Sequence, residues 1–226
     1  MSVTPATTTA IRADREIQDA VEAELEWTPE VNAATIGVAV DDGVVSLSGE
    51  VDTYAERTAV KRAALRVRDV TAVINDVNVH PNSAFYVSET DIGKEVEQAL
   101  RSATNVPDTV KAVIDGHAVT LLGEVAWDFQ RRAAKRAVRY LRGVYSVDSR
   151  ITLTPRVSAV DTAERIKAAI LRNAQVDART VEVSADGTKV TLSGTVRSWA
   201  ERRQADLAAW SSPHVTEVYN HIVVEP

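Results

Sequence analysis

Apolar residues recur along this chain in one order, first at helical spacing and then at every second position. Near the start they fall at i, i+3, i+4 and i+8, which predicts an amphipathic helix: Ile17, Ala20, Val21 and Leu25. Two alternating runs follow, one from residue 36 and one from residue 45, with the sequence Asp-Asp-Gly between them. This pattern predicts a β-hairpin with a tight turn.

A second helix and a third strand complete the pattern. Thr53 and Glu56 have the spacing of a capping box, which predicts a helix start after residue 53. The inward positions of this helix are mostly alanine, and a last alternating run begins at Val73. Because a β-α-β connection is right-handed and joins parallel strands, the unit is α-β-β-α-β. We predict an α+β fold in which two helices cover one face of a three-stranded mixed sheet.

This unit occurs three times along the chain. With Gly49, Gly123 and Gly194 aligned, the copies stay in register without a gap for 47 positions, and 11 positions carry the same residue in every copy. An internal repeat takes precedence over any interpretation of the chain as one large fold. The predicted segments are a disordered tail and three domains, at 1–11, 12–81, 88–155 and 158–226.

Two of the repeated residues need a physical explanation. The repeated glycine lies on the apolar side of the second strand, where glycine weakens a strand. Since an alanine-rich helix follows, we predict that the glycine lets this helix approach the sheet. The repeated arginine, Arg57, Arg131 or Arg202, lies early in the second helix. It either pairs with a carboxylate that fixes the helix or contacts a lipid headgroup, and its presence in every copy favours the role in the fold.

Composition excludes several classes of function. The 226 residues are 45% hydrophobic and 26% charged and include no cysteine, as in a globular protein without a disulfide or thiolate metal site. The four histidines do not recur between copies and lack metal-ligand spacing. No nucleophile motif or phosphate loop is present, so we predict a protein that is not an enzyme and needs no cofactor. The Asp-Gly turns offer oxygen ligands to a cation, but plain hairpin turns are favoured because each has too few carboxylates.

The sequence also bears on where the protein acts. Its start lacks the basic and apolar segments of a secretory signal, and no apolar run approaches the roughly 18 residues of a membrane span. We therefore expect a cytoplasmic protein, with association to a membrane surface left open.

Charge is distributed unevenly, and its basic part is concentrated in one helix. Residues 88–155 carry 10 basic and 9 acidic residues, against 6 and 14 in residues 14–81. The second helix of repeat 2 has six basic residues, with no acid from residue 129 through 147: Arg131, Arg132, Lys135, Arg136, Arg139 and Arg142. Aromatic residues recur where this helix starts in each copy: Tyr54, Trp127 with Phe129, and Trp199. Together they predict contact with an anionic phospholipid surface, although packing on a neighbouring unit explains the aromatics equally well.

The first helix has the opposite charge, which supports an alternative function. Its acidic residues complement the basic helix of another copy: Glu16, Asp19, Glu22, Glu24 and Glu26. Such a contact joins different surfaces of two copies, so it closes into a ring or continues as a filament. The alternative is thus a structural, self-assembling protein. Nucleic acid is disfavoured as a partner because the pI of 5.3 and the acidic first unit repel phosphate.

The repeated string D-G-x-V-T-L-x-G-x-V, followed by a capped alanine-rich helix and G-V-x-x-V-x-N-x-(V/I)-x-V, resembles the BON domain, named for bacterial OsmY and nodulation proteins. Repeat 3 shows Asp186, Gly187, Leu192 and Gly194 of this pattern, while repeat 2 has Ser149 in place of the asparagine. The resemblance implies a non-enzymatic module, usually in tandem, of bacterial envelope and osmotic-stress proteins. It also implies binding to phospholipid surfaces or other envelope components.

Overall fold

Each repeat folds as helix, hairpin, helix and strand. The structure is a computed structural model that describes residues 5–80, 87–156, 161–172 and 180–225, with side chains from residue 13 onward in those ranges. Repeat 1 contains α1 (Pro5–Glu26), a 3₁₀ turn (Ala33–Thr35), β1 (Ile36–Asp41), β2 (Val44–Val51), α2 (Tyr54–Ala64) and β3 (Ala72–Val79).

The other two repeats follow the same order; the second and third strands are both divided in two in repeat 2, and the third strand alone is divided in repeat 3. Repeat 2 contains α3 (Glu89–Ser102), β4 (Lys111–Asp115), β5 (Ala118–Leu122), β6 (Glu124–Val125), α4 (Asp128–Val138), β7 (Ser146–Ser149) and β8 (Thr152–Leu153). Repeat 3 contains α5 (Thr162–Leu171), β9 (Val181–Asp186), β10 (Lys189–Val196), α6 (Trp199–Trp210), β11 (Glu217–Asn220) and β12 (Val223–Val224).

The hairpin strands are antiparallel, and the third strand joins them in parallel. In repeat 1, β2 lies between β1 and β3, with Val45 opposite both Val40 and Val73. In repeats 2 and 3, β5 and β10 likewise pair with an antiparallel and a parallel neighbour. The predicted α+β fold with mixed three-stranded sheets is therefore confirmed.

The core of a repeat lies between the inner face of its sheet and its two helices. In repeat 1, Val45 and Leu47 of β2 are fully buried, as are Val21 of α1 and Ala63 of α2. The intervening residues of β2 are more exposed, so burial alternates along the strand as a half-buried strand requires. The N-cap predicted for α2 also forms, because Thr53 Oγ1 accepts a hydrogen bond from the Glu56 amide at 3.1 Å.

The repeated glycine serves the hairpin and not the second helix. Gly49, Gly123 and Gly194 have φ angles of 121°, 130° and 111°, which L side chains rarely adopt. A Cβ added at Gly49 would lie 2.0 Å from the carbonyl oxygen of Thr35, and the corresponding distances at the other two glycines are 2.3 and 1.9 Å. The predicted approach of the second helix is therefore wrong. The backbone at the start of the first strand occupies the space that a side chain would need.

The repeated arginine ties the second helix to the third strand. In repeat 3, Arg202 donates from Nε to the Ile222 carbonyl and from Nη2 to the Asn220 carbonyl, both at 2.9 Å. In repeat 1, Arg57 donates to the Asn75 carbonyl at 3.4 Å. This arginine thus has the favoured role in the fold, with backbone carbonyls as acceptors in these two repeats.

The Asp-Gly turns are held by acids of the first helix. Asp14 accepts hydrogen bonds from the amides of Asp42 and Gly43 at 3.1 and 3.0 Å, and Glu89 accepts one from Gly116 at 3.1 Å. Each carboxylate satisfies turn N–H groups that otherwise lack a partner within the hairpin. These contacts support the interpretation of both sites as plain hairpin turns.

The chain divides into two compact units. Unit 1 comprises Met1–Pro81 with Arg197–Ala200 and Val224–Pro226, and unit 2 comprises Asn82–Val196 with Glu201–Val223. Most of repeat 3 therefore shares unit 2 with repeat 2.

The N-terminal segment differs from the prediction. Helix α1 begins at Pro5, so residues 5–11, which we expected in a disordered tail, are helical, and residues 1–4 lie outside the described part of the chain. Proline is compatible with the first turn of a helix because the N–H that it lacks has no intrahelical acceptor there.

Candidate functional site

Helix α4 carries the basic residues of repeat 2, and Gln130 holds its start. The Oε1 atom of Gln130 accepts hydrogen bonds from the amides of Ala126 and Trp127 at 3.1 and 3.0 Å. Ala133 and Val138 are buried against the sheet. Because successive helical residues are about 100° apart, the opposite side of α4 is turned outward.

The outward side of α4 combines cations with two exposed rings. Phe129 and Tyr140 are 46% and 53% exposed. Phe129 is the second residue of α4, and Tyr140 lies in the turn that follows the last residue of α4, Val138. We call the following residues the α4 surface: Phe129, Arg132, Lys135, Arg136, Arg139 and Tyr140. Lys135 and Arg136 are exposed between the rings, and Arg142 is exposed in the turn that follows.

One buried acid lowers the charge of this helix. Asp128, the first residue of α4, is 2% exposed, and its carboxylate lies 2.5 Å from Arg131 Nη2 and 2.8 Å from Arg132 Nε. A carboxylate is also favoured at this position by the helix dipole. Two of the six cations are therefore partly neutralised by an acid directly before the acid-free stretch, and the spacing of three and four residues is the only sign of this in the sequence.

Arg131 is turned toward repeat 3. Its guanidinium carbon lies 4.2 Å from the ring centroid of Trp210, at the end of α6 and within unit 2. A cation–π contact at a partly exposed position contributes about 0.5–1 kcal/mol. Arg131 thus belongs to the packing of repeat 3 on repeat 2, and we leave it out of the α4 surface.

Arg139, which directly follows α4, is also partly engaged within the protein. Its guanidinium lies 4.4 Å from the centroid of the Tyr140 ring and donates a hydrogen bond to the Tyr140 hydroxyl. This contact holds the Tyr140 ring beside the Arg139 guanidinium, so an aromatic ring and a cation lie next to each other.

The aromatic residues that recur at the helix starts have three different environments. Trp127 is half-buried between Phe129, at 6.5 Å between ring centroids, and the Arg156 guanidinium, 4.3 Å from its ring. Trp199 is half-buried, and its indole N–H donates to the Val70 carbonyl at 2.9 Å within unit 1. Tyr54 is half-buried at the first residue of α2. Of these aromatic residues, Phe129 alone is placed in the exposed class.

A second carboxylate, that of Asp206, is influenced by the charges of Asp128 and Arg131. Asp206 of α6 accepts a hydrogen bond from Asn220 Nδ2 at 3.3 Å. Burial raises the pKa of Asp206 above its usual range, and the charge of Asp128 acts in the same direction. The Asn220 hydrogen bond and the cations Arg202 and Arg131 oppose this rise.

The raised pKa of Asp206 predicts a specific pH dependence. A folded-state pKa above the ordinary 3.8 means that the folded state binds more protons, so stability falls as pH rises from about 3.8 through the folded pKa. We expect Asp206→Asn to flatten this fall and to raise stability at neutral pH relative to the native chain. Urea unfolding between pH 3.5 and 7 measures the effect. An equal pH slope in both proteins would contradict it.

The acidic helix of repeat 1 is only partly available to a partner. Glu24 forms an ion pair with Arg66 at 2.5 Å, and Glu22 accepts a hydrogen bond from Gln18 at 2.9 Å. The remaining predicted acids are exposed: Glu16, Asp19 and Glu26. Next to them lies a residue that the sequence analysis did not consider, Trp27, which is 85% exposed.

Other kinds of site receive no support from the described residues. Within them, no group of three or more histidine or acidic side chains is placed to hold a metal ion. No described helix combines the length and apolar character needed to cross a bilayer. His117 has a structural contact, since its Nδ1 lies 2.8 Å from the Gly143 carbonyl and its ring stacks on Tyr145 at 4.1 Å.

Comparison with known proteins identifies the repeat. The family model described as BON domain matches three times, at residues 13–81, 88–155 and 158–226. This family is generally non-catalytic. No curated protein matches the sequence.

Two solved structures resemble the chain only distantly. Both are of CdsD, a structural protein of the type III secretion system of Chlamydia trachomatis, and one of them is its C-terminal domain. Each is 12% identical with a TM-score of 0.27; the matches cover 92% and 93% of this chain and 96% and 93% of those chains.

Proposed function

The chain belongs to the BON domain family, and from this premise we propose that it is a non-catalytic tandem protein that binds anionic phospholipid surfaces in the response to osmotic stress. One observation carries the proposal. The α4 surface combines the exposed cations of α4 with two exposed rings, Phe129 in the first turn of the helix and Tyr140 just beyond its end. The binding residues are therefore assigned to repeat 2.

Charge and exposed apolar area act together at such a surface. Each Lys or Arg near an anionic membrane contributes about 1 kcal/mol, provided that it is not neutralised within the protein. Lys135 and Arg136 are exposed and lie between the rings of Phe129 and Tyr140. Aromatic side chains are favoured at the level of the lipid headgroups, because the membrane is apolar on one side of this layer and water lies on the other.

Phosphate-rich nucleic acid is a weaker candidate for the same cations. The whole chain has a net charge of −6, and residues 14–81 alone carry 14 acidic against 6 basic residues. This excess of negative charge opposes the approach of a phosphate polyanion.

Removal of two α4 cations is expected to weaken vesicle binding strongly. The Lys135→Gln/Arg136→Gln protein should bind phosphatidylserine-containing vesicles about 30-fold more weakly, because two contributions of about 1 kcal/mol are lost. Co-sedimentation with vesicles at low salt, over a series of lipid concentrations, measures the apparent affinity.

A matched control separates this local effect from the change in net charge. Lys167→Gln/Arg203→Gln removes two exposed cations from α5 and α6 of the same compact unit. This control should bind like the native chain, and neither protein should bind vesicles of neutral phosphatidylcholine. Equal loss in both double variants, or no retention of the native chain on anionic vesicles, contradicts the proposal.

A further inference from the structure

The most exposed large apolar side chain in the described structure lies at the end of α1. Trp27 is 85% exposed, and its amide donates to the Ala23 carbonyl at 3.0 Å, so its backbone continues the helical pattern of α1. A tryptophan held in a regular position with most of its surface in water is typical of a contact residue in an interface. Its indole is therefore a candidate anchor for a partner.

Trp27 lies on one face of α1 with two exposed acids. Asp19, Ala23, Glu26 and Trp27 follow the spacing i, i+4, i+7 and i+8, and all four are exposed. We call these residues the Trp27 surface. The neighbouring acids Glu24 and Glu30 are directed to Arg66 and Arg62 within repeat 1, whereas Glu16, three residues before Asp19, adds a third exposed acid beside this surface.

The α4 surface has the same spacing with the opposite charge. Arg132, Arg136, Arg139 and Tyr140 also follow i, i+4, i+7 and i+8. In the Trp27 surface the first and third residues are acids, and in the α4 set the first three are arginines, of which Arg132 is partly neutralised by Asp128. The fourth residue is aromatic in both sets. The two surfaces are therefore opposite in charge, and the aromatic residue of each lies just beyond the end of its helix.

We infer that the Trp27 surface of one copy docks on the α4 surface of a second copy. Asp19 and Glu26 then meet the arginines of α4, and the Trp27 indole packs beside the Arg136 guanidinium and Tyr140. Because the two surfaces are different, the contact is heterologous, and repeated contacts form chains or rings. An anionic membrane is not the partner of the Trp27 surface, since its two acids are repelled there.

This inference does not depend on the proposed lipid function, but the two are linked. Both use the α4 surface, so a copy whose α4 lies on a membrane cannot receive the Trp27 surface of another. Anionic vesicles should therefore dissociate the assemblies, and Trp27 itself takes no part in lipid binding.

The first test removes the anchor. Trp27→Ala should weaken self-association at least about 30-fold, which is the effect of losing an interface hot spot. Sedimentation velocity of the full chain from 2 to 200 μM, at 20 and 500 mM salt, measures association, which should weaken at the higher salt because the charges are screened. Leu171→Ala is the control, because it removes another exposed apolar side chain, 58% exposed, at α5.

The second test restores the contact between two altered chains. The Asp19→Lys/Glu26→Lys chain and the Lys135→Glu/Arg136→Glu chain, which leaves the Arg132–Asp128 pair intact, should each be monomeric alone and should associate when mixed. A native chain that is monomeric at 200 μM and low salt overturns the inference, as does association that Trp27→Ala leaves unchanged. Vesicle binding of Trp27→Ala should equal that of the native chain. If self-association is absent, the lipid proposal still stands, and if vesicle binding is absent, the proposed self-association still stands.

Discussion

Replacement of Gly123 by alanine should destabilise the second repeat by about 3 kcal/mol or more. Two costs add at this position. The φ angle of 130° is one that residues with a Cβ rarely adopt, and the new Cβ would lie 2.3 Å from the Thr109 carbonyl oxygen. Relief requires a shift of the hairpin backbone, since the obstructing atom belongs to the main chain. A unit of about 70 residues has little stability in reserve, so the repeat should open.

Two other glycines of the same repeat serve as matched controls. Gly116 has a φ of 56° with no atom within 4 Å of an added Cβ, so Gly116→Ala isolates the cost of the backbone angle, about 1 kcal/mol. Gly93 lies within helix α3, where an added Cβ makes ordinary contact with Ile114 at 3.9 Å. Gly93→Ala should stabilise the repeat by about 0.5–1 kcal/mol, because alanine is the better helix former.

Hydrogen exchange by mass spectrometry resolves where the damage falls. Protection should be lost in residues 88–155 of the Gly123→Ala protein and largely kept in the first repeat. If all three variants unfold at the same urea concentration, the clash with Thr109 is not what selects glycine at this position.

Replacement of Asp128 by asparagine is expected to lower stability and raise vesicle affinity together. The carboxylate is 2% exposed and neutralises Arg131 and Arg132, which are 26% and 47% exposed. Loss of a buried partner leaves these cations unmatched at a cost of about 1–3 kcal/mol, less than for a fully buried pair because both arginines reach water. Arg132 then becomes available to an anionic surface, which should increase affinity about fivefold.

The control for this variant makes the same change of charge elsewhere in repeat 2. Asp148→Asn removes an acid that is 63% exposed and paired with Arg150 at 3.1 Å. It should change the free energy of unfolding by less than about 0.5 kcal/mol, as most surface substitutions do. Urea unfolding and vesicle co-sedimentation on the same samples provide both quantities. A parallel fall of stability and vesicle affinity in Asp128→Asn would show that α4 needs its folded geometry more than its charge.

Gly123 shows which properties of a residue can be predicted from nearby sequence and which depend on the fold. Gly123 was recognised from its recurrence, but its reason lies in the carbonyl of Thr109, fourteen residues away across a hairpin. The spacing of hydrophobic residues predicts that the two strands pair. The φ angle of Gly123 and its distance to the facing backbone depend on how the paired strands twist. An alanine-rich helix nearby gave a plausible but wrong explanation.

The candidate site likewise has some features that the sequence predicts and others that depend on the fold. Six cations in one helix are evident from the sequence, and their outward direction follows from the buried Ala133 and Val138 on the other side. That Asp128 is buried and shared by two of these cations depends on packing around the helix start. The exposure of Tyr140 and Trp27 likewise follows from what the rest of the chain leaves uncovered.

The sequence by itself determined the repeated unit, the order of its elements and the sign of the charge on each helix, because periodicity, turn residues and net charge are properties of short segments. Threefold repetition strengthened each of these, since a pattern seen in one copy could be checked in two others. The tertiary structure alone decided which charges remain free and which aromatic rings stay in water. Arg131 is bound to Asp128 and Trp210, and Trp199 to Val70. The Arg131–Trp210 and Trp199–Val70 contacts join residues far apart in the chain, and only the packed fold sets their distances.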